Sequence, residues 1–308
     1  MKNFIILFIS FWISNASLGQ IRDIVYSNPQ DTQANYYIAF KPSGQANGLL
    51  LLLTSFGETP QVASNETDIQ KYAADKRLIT VFASLQFGTQ TFFIDTMSQF
   101  IIAQLIRDLQ EKYNMKKKPF YMGGFSLGGS GVVKYAQKAC ITPGMAKPRA
   151  IFAIDPPLDF ERLYMSMEQA VRQSNNEISV QEAGYFMKRL QYEFEGTPHS
   201  NKASYQNLSP FAYSDTTLEK IKPLINCPIM LISEPDIIWQ MEERNRSMYD
   251  MNTLDCSSLM NTLKIWGHKN ANLVLTSNKG YRKLTGKRNP HSWSIADPEA
   301  TVNWLIRQ

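Results

Sequence analysis

Apolar positions along the 308 residues fall into two alternating patterns. Short, nearly unbroken apolar runs occupy 49–53, 78–85, 120–122, 150–154, 229–232 and 273–275, and a further strand-like segment lies at 36–40. The run at 49–53 is five leucines between Gly48 and the turn Thr54-Ser55-Phe56-Gly57. Continuous runs of this length suit central strands covered on both faces. The second pattern is helical. Ile94, Met97, Ile101, Leu105 and Leu109 recur at steps of three and four, which predicts a helix ending before Pro119. Leu259, Leu263 and Trp266 repeat the spacing, with Gly267 as a C′ cap. Asp297 as N-cap and Pro298 at the first helical position open a final helix that runs to Ile306. Strands alternating with helices predict an α/β fold: a mostly parallel central sheet with helices on both faces.

The interval 155–228 breaks the rhythm. Its pattern gives helices at about 160–173 and 180–194 and then a polar stretch through Ser209 and Pro210, read as an inserted helical lid at about 158–224 over the carboxyl edge of the sheet. Its bulky side chains, among them Tyr164, Met167, Tyr185, Phe186, Tyr192 and Phe194, are first of all packing, and they would also wall an apolar cleft.

The segment 1–19 reads as a secretory signal peptide: Lys2, an apolar run at 4–13, then small and polar residues. The run is too short to span a bilayer, which takes roughly 20 such residues. No second long apolar stretch follows, so the expectation is a folded domain at 20–308, secreted or periplasmic, with no stable membrane span. The formal charge of +5 includes one lysine of the leader. Its densest cluster, Lys116 to Lys118, sits where a helix ends and complements the helix dipole, which argues against nucleic acid as a partner. Cys140, Cys227 and Cys256 are too few for a disulfide framework, and no Cys/His cluster has metal-ligand spacing.

Gly124-Phe125-Ser126-Leu127-Gly128 is a G-x-S-x-G with a strand before it and a helix, at about 132–140, after it. A serine exposed on so sharp a turn needs small neighbours, and Gly123, Gly124, Gly128, Gly129 and Gly131 supply the room. Ser126 is therefore the candidate nucleophile. With this motif in this context the chain resembles the α/β-hydrolase superfamily, over nearly all of its length after the leader. Ser209-Pro210, then Cys227-Pro228, a strand and an acidic loop are similar to secreted serine esterases and prolyl-oligopeptidase-like enzymes.

The resemblance implies an acid and a histidine later in the chain, each on a loop after a strand. The loop after 229–232 offers Ser233-Glu234-Pro235-Asp236, and Asp236 is the expected acid; its structural alternative is a helix N-cap, in which case Glu234 or Asp155 would substitute. His291, between the strand at 273–275 and the final helix, is the expected base. His268 reads instead as a helix-end residue and His199 as part of the lid. Backbone N–H groups of Leu127 and Phe56 are the expected oxyanion donors, and Trp239 and Trp293, each just past a site residue, are candidates for substrate contact or for buttressing the loops.

A serine nucleophile implies acyl transfer to water with no cofactor and no metal, and it argues against dehalogenase-like relatives, which use aspartate at this turn. The expected reaction is hydrolysis of a carboxylic ester, either a small molecule or one linked to carbohydrate. A peptidase of related fold and a non-catalytic binding protein on the same scaffold are the alternatives. The oligomeric state is not legible in the sequence.

Overall fold

The computed structural model describes residues 21–26, 36–85, 91–173 and 177–308. The leader-like segment 1–19 lies outside the described residues.

In chain order the elements are β1 (Ile21–Tyr26), β2 (Tyr36–Lys41), β3 (Gly48–Leu53), α1 (Pro60–Glu66), α2 (Ile69–Asp75), β4 (Leu78–Ala83), α3 (Thr96–Lys112), β5 (Phe120–Phe125), α4 (Leu127–Ala139) and β6 (Ala150–Ile154). Then come α5 (Phe160–Gln173), α6 (Glu177–Glu193), α7 (Lys202–Leu208), β7 (Ile229–Ser233), α8 (Ile237–Arg244), α9 (Thr253–Ile265), β8 (Ala271–Leu275) and α10 (Pro298–Ile306). Among the described residues, eight strands form one sheet in the order β1-β2-β4-β3-β5-β6-β7-β8. β2 is antiparallel to both β1 and β4, and every other neighbouring pair is parallel.

The five leucines of β3 explain why the sheet is covered twice. Successive side chains of a strand point to opposite faces. Leu49, Leu51 and Leu53 enter one core with Ile102 and Ile106 of α3, Val132 and Val133 of α4 and Leu259 of α9. Leu50 and Leu52 enter the other, with Ala63 of α1, Ile69 of α2 and Val302 of α10. All five are fully buried, and burying a leucine contributes ~2 kcal/mol. The predicted caps also form: Asp297 Oδ1 accepts the Ala300 N–H, and Gly267 takes a φ of +84° beyond α9.

Two departures from the sequence expectation have plain causes. β1, an edge strand at Ile21–Tyr26, has Arg22 and Asp23 in its middle and lacks the apolar run of a central strand. α1 and α2 are seven residues each, too short for a helical period to stand out, although Thr59 caps α1 through its side chain and Pro60 opens it.

Because β3 through β8 run parallel, their carboxyl ends meet along one edge. The loops leaving β3, β5, β6, β7 and β8 carry Phe56, Ser126, Asp155, Glu234 with Asp236, and His291. Such an edge is where ligands bind in open parallel sheets.

Candidate active site

Ser126 occupies the step between β5 and α4 with φ +53° and ψ −124°, a left-handed conformation that costs a non-glycine residue of order 1–3 kcal/mol. Its N–H donates to the Ile154 carbonyl at 2.8 Å, fastening the turn to β6. The flanking glycines are steric necessities. A Cβ on Gly124 would lie 2.5 Å from the Gly128 carbonyl carbon, and one on Gly128 would run into the carbonyl oxygens of Leu53 and Thr54. These atoms are backbone and cannot rotate away, so Gly128→Ala is expected to destabilise the fold by about 3 kcal/mol or more, seen as a large fall in Tm.

His291 reaches Ser126 from the loop after β8. Its Nε2 lies 3.0 Å from Ser126 Oγ, and its Nδ1 lies 2.7 Å from Asp155 Oδ2. With Nδ1 protonated toward the carboxylate, Nε2 is left to accept the serine hydroxyl hydrogen. Phe125 packs on the imidazole at 4.7 Å between ring centroids, and Asn289 Oδ1 accepts the His291 N–H.

The carboxylate beside His291 is thus Asp155, not the expected Asp236. Asp155 directly follows β6 with φ +44°, and its carbonyl accepts from Asn252 Nδ2 at 2.9 Å. Ser233 Oγ–H donates to its Oδ1 at 2.6 Å, and Thr253 Oγ1–H is then left to donate to Ser233 at 2.5 Å. Ser130 of α4 donates to the Pro157 carbonyl, which ties this loop to the helix that begins at the nucleophile turn. Asp236 takes the structural alternative instead: it caps α8 by accepting the Trp239 N–H, and it pairs with Arg288 at 2.5 Å. Glu234 is also engaged elsewhere, by Arg288, Thr276 Oγ1 and the N–H groups of Lys279 and Gly280.

The other histidines stand apart. His268 Nε2 donates to the Cys227 carbonyl and Nδ1 accepts the Asn270 N–H, so it fastens the chain between α9 and β8, while His199 is exposed.

A cleft of about 410 Å³ opens over Ser126 and His291. Phe56 and Leu127, the expected oxyanion donors, both line it, and among the described residues neither main-chain N–H is taken up by another group. Leu163 and Met167 of α5 and Phe186 of α6 line it from the helical segment, and Phe186 packs on Phe56 at 4.9 Å. Trp239 lines it too. Trp293 does not: it is fully buried in the core behind the sheet, a correction to its reading as a substrate contact. Its indole N–H donates to Glu58, which also accepts the Ser55 N–H. Burial pushes the Glu58 carboxyl above its ordinary range, against the pull of those two donors. Glu58 thereby joins the turn carrying Phe56 to the residues just beyond His291, a link with no signature in the sequence.

The cleft is also more polar than its aromatic lid composition implied, since Arg244, Arg246 and Arg282 line it.

No family model matches the sequence, and no curated protein matches it. Solved structures do resemble the fold. An S-formylglutathione hydrolase from Agrobacterium tumefaciens superposes with a TM-score of 0.58 at 11% identity, over 95% of this chain and 97% of that one. Esterase B from Lactobacillus rhamnosis gives 0.59 at 11% identity, over 94% and 88%. An acylaminoacyl peptidase from Pyrococcus horikoshii gives 0.54 at 13% identity, over 93% of this chain and 40% of that one. With its mixed, mostly parallel sheet and flanking helices, and with these superpositions, the chain has the α/β-hydrolase fold.

Proposed function

We propose that this protein is a serine hydrolase that cleaves a carboxylic ester, with Ser126, His291 and Asp155 as its triad. The observation that carries the reading is the unbroken hydrogen-bonded chain from Ser126 Oγ through both nitrogens of His291 to Asp155 Oδ2. Ser126 attacks the ester carbonyl while His291 Nε2 takes its proton, and Asp155 stabilises the imidazolium that forms. The N–H groups of Leu127 and Phe56 hold the developing oxyanion, each lowering the barrier by about 3 kcal/mol. His291 then protonates the departing alkoxide, and the acyl-enzyme is released by water that His291 activates in turn. Helices α5 to α7 act as a lid, and the 1–19 leader exports the protein.

A fluorophosphonate probe tests this directly. Labelling confined to Ser126 in the folded protein, located by peptide mass spectrometry, together with turnover of activated aryl esters, is the expected result. An unlabelled Ser126 would leave a binding protein on a hydrolase scaffold, and turnover of peptide amides above esters would make it a peptidase.

Ser233 then becomes a positioning residue. Ser233→Ala removes the hydroxyl that holds Asp155 Oδ1 and is expected to lower kcat by about tenfold with little change in KM, since a hydrogen bond to a charged group is worth ~1.5–3 kcal/mol. A rise in KM at unchanged kcat would remove Ser233 from this role.

A further inference from the structure

The charges around the cleft are unevenly matched. Asp155 is held by His291 and Ser233, Glu234 by Arg288 and three further donors, and Asp250 by Ser166 and the Ser247 turn. The cations are less committed. Arg244 and Arg282 form no ion pair among the described residues. Arg244 lies over the Trp239 ring at 5.9 Å, and the charge of Arg282 reaches the buried Glu58 without a hydrogen bond between them. Arg246 pairs loosely with Glu182 at 3.6 Å, the Glu182 side chain being 46% exposed, and the charge of Asp250 reaches it without an ion pair among the described residues.

The backbone fixes two of these arginines. Asn245 ends α8 in the left-handed conformation, and the N–H groups of both Asn245 and Arg246 donate to the Gln240 carbonyl. This cap places Arg244 and Arg246, on either side of Asn245, in the wall of the one cleft that also holds Ser126. Burial lowers the pKa of Arg246 from its ordinary value, with Glu182 acting the other way. A half-buried guanidinium gains most from an acceptor that is itself shielded from water, and the planar fork fits a carboxylate through two parallel hydrogen bonds.

Resting on the serine-hydrolase reading, we propose that the substrate is an ester bearing a free carboxylate, held by Arg244 and Arg246, with Arg282 adding positive charge from the loop after β8. The ester belongs either to a dicarboxylic acid or to a hydroxy acid, depending on which side of the scissile bond carries the anion. The cleft admits such a molecule whole, since small-molecule sites typically measure about 300–1,000 Å³.

Two substrate pairs separate these cases. Mono(4-nitrophenyl) adipate against 4-nitrophenyl heptanoate places the carboxylate on the acyl side, and 4-acetoxyphenylacetate against 4-ethylphenyl acetate places it on the leaving side. In at least one pair the acid is expected to exceed its neutral partner by about tenfold in kcat/KM, and Arg244→Gln and Arg246→Gln are each expected to reduce that ratio by about tenfold, mainly through KM. Arg244→Lys keeps the charge and should retain part of the preference, and thermal melts verify that the variants fold. An enzyme that prefers the neutral member of both pairs, or whose preference is untouched by both glutamine variants, overturns the carboxylate site and leaves the hydrolase reading standing. A protein that turns over neither pair and leaves Ser126 unlabelled loses both.

Discussion

Ser126→Ala and His291→Ala are each expected to lower kcat on an activated ester by about a million-fold, and the double variant by no more than either alone. The two side chains act as one unit, so removing either leaves no nucleophile able to shed its proton, and their effects are far from additive. What remains over the uncatalysed rate comes from the oxyanion donors and from binding, which do not need the hydroxyl. Folding should be little changed in Ser126→Ala. The Ser126 side chain packs no core, and alanine meets the same cost as serine at φ +53°. Steady-state kinetics on one aryl ester, beside far-UV circular dichroism and Tm, checks both statements. Additive losses in the double variant would mean that His291 does not act through Ser126, and residual activity near a thousandth of wild type in Ser126→Ala would point to another nucleophile.

How far the sequence carries this picture depends on how local each signal is. β3 is legible because five leucines closed off by Gly48 and the Thr54–Gly57 turn are the length of a strand covered on both sides and too short for a buried helix, and α10 because Asp297 and Pro298 specify its start within two residues. The Ser126 turn is legible for the same reason: the glycines it requires lie within a few positions of it. His291 was reachable by order along the chain, after the last strand of the sheet. The acid was not, because the choice among Asp155, Glu234 and Asp236 turns on which carboxylate another part of the chain has already claimed. Arg288, more than fifty positions downstream, binds both Glu234 and Asp236, and no spacing announces that pairing. Asp155 does carry a faint local sign, standing at the end of a strand before Pro156 and Pro157, which keep a helix from starting there and leave its side chain to the sheet edge. Arg244 and Arg246 were hidden differently: their positions around the end of α8 are local, but their shared exposure to Ser126 exists only in the folded sheet.

Asp155→Asn is expected to lower kcat by about ten-thousandfold near neutral pH, while Asp236→Asn costs less than about tenfold. The reason lies in the direction of the hydrogen bonds. Thr253 donates to Ser233, and Ser233 donates to Oδ1 of Asp155, so an asparagine at 155 keeps its carbonyl oxygen toward Ser233 and turns its NH₂ toward His291. Nδ1 must then accept rather than donate, which moves the ring proton to Nε2. In that tautomer His291 cannot take the hydrogen of Ser126, although the geometry is hardly altered. Asp236→Asn touches none of this. It leaves a side-chain oxygen to cap α8, since asparagine caps a helix as well as aspartate does, but it weakens the pair with Arg288, which acts on stability. Glu234→Gln likewise disturbs the turn at Lys279 and Gly280 rather than the imidazole. Measuring kcat, KM and Tm for the three variants on one ester separates the cases: Asp155→Asn should lose rate and keep its Tm, and the other two should do the reverse. A severe loss of kcat in Asp236→Asn, with Asp155→Asn close to wild type, would return the role to Asp236 and require the loop after β7 to rearrange when substrate binds.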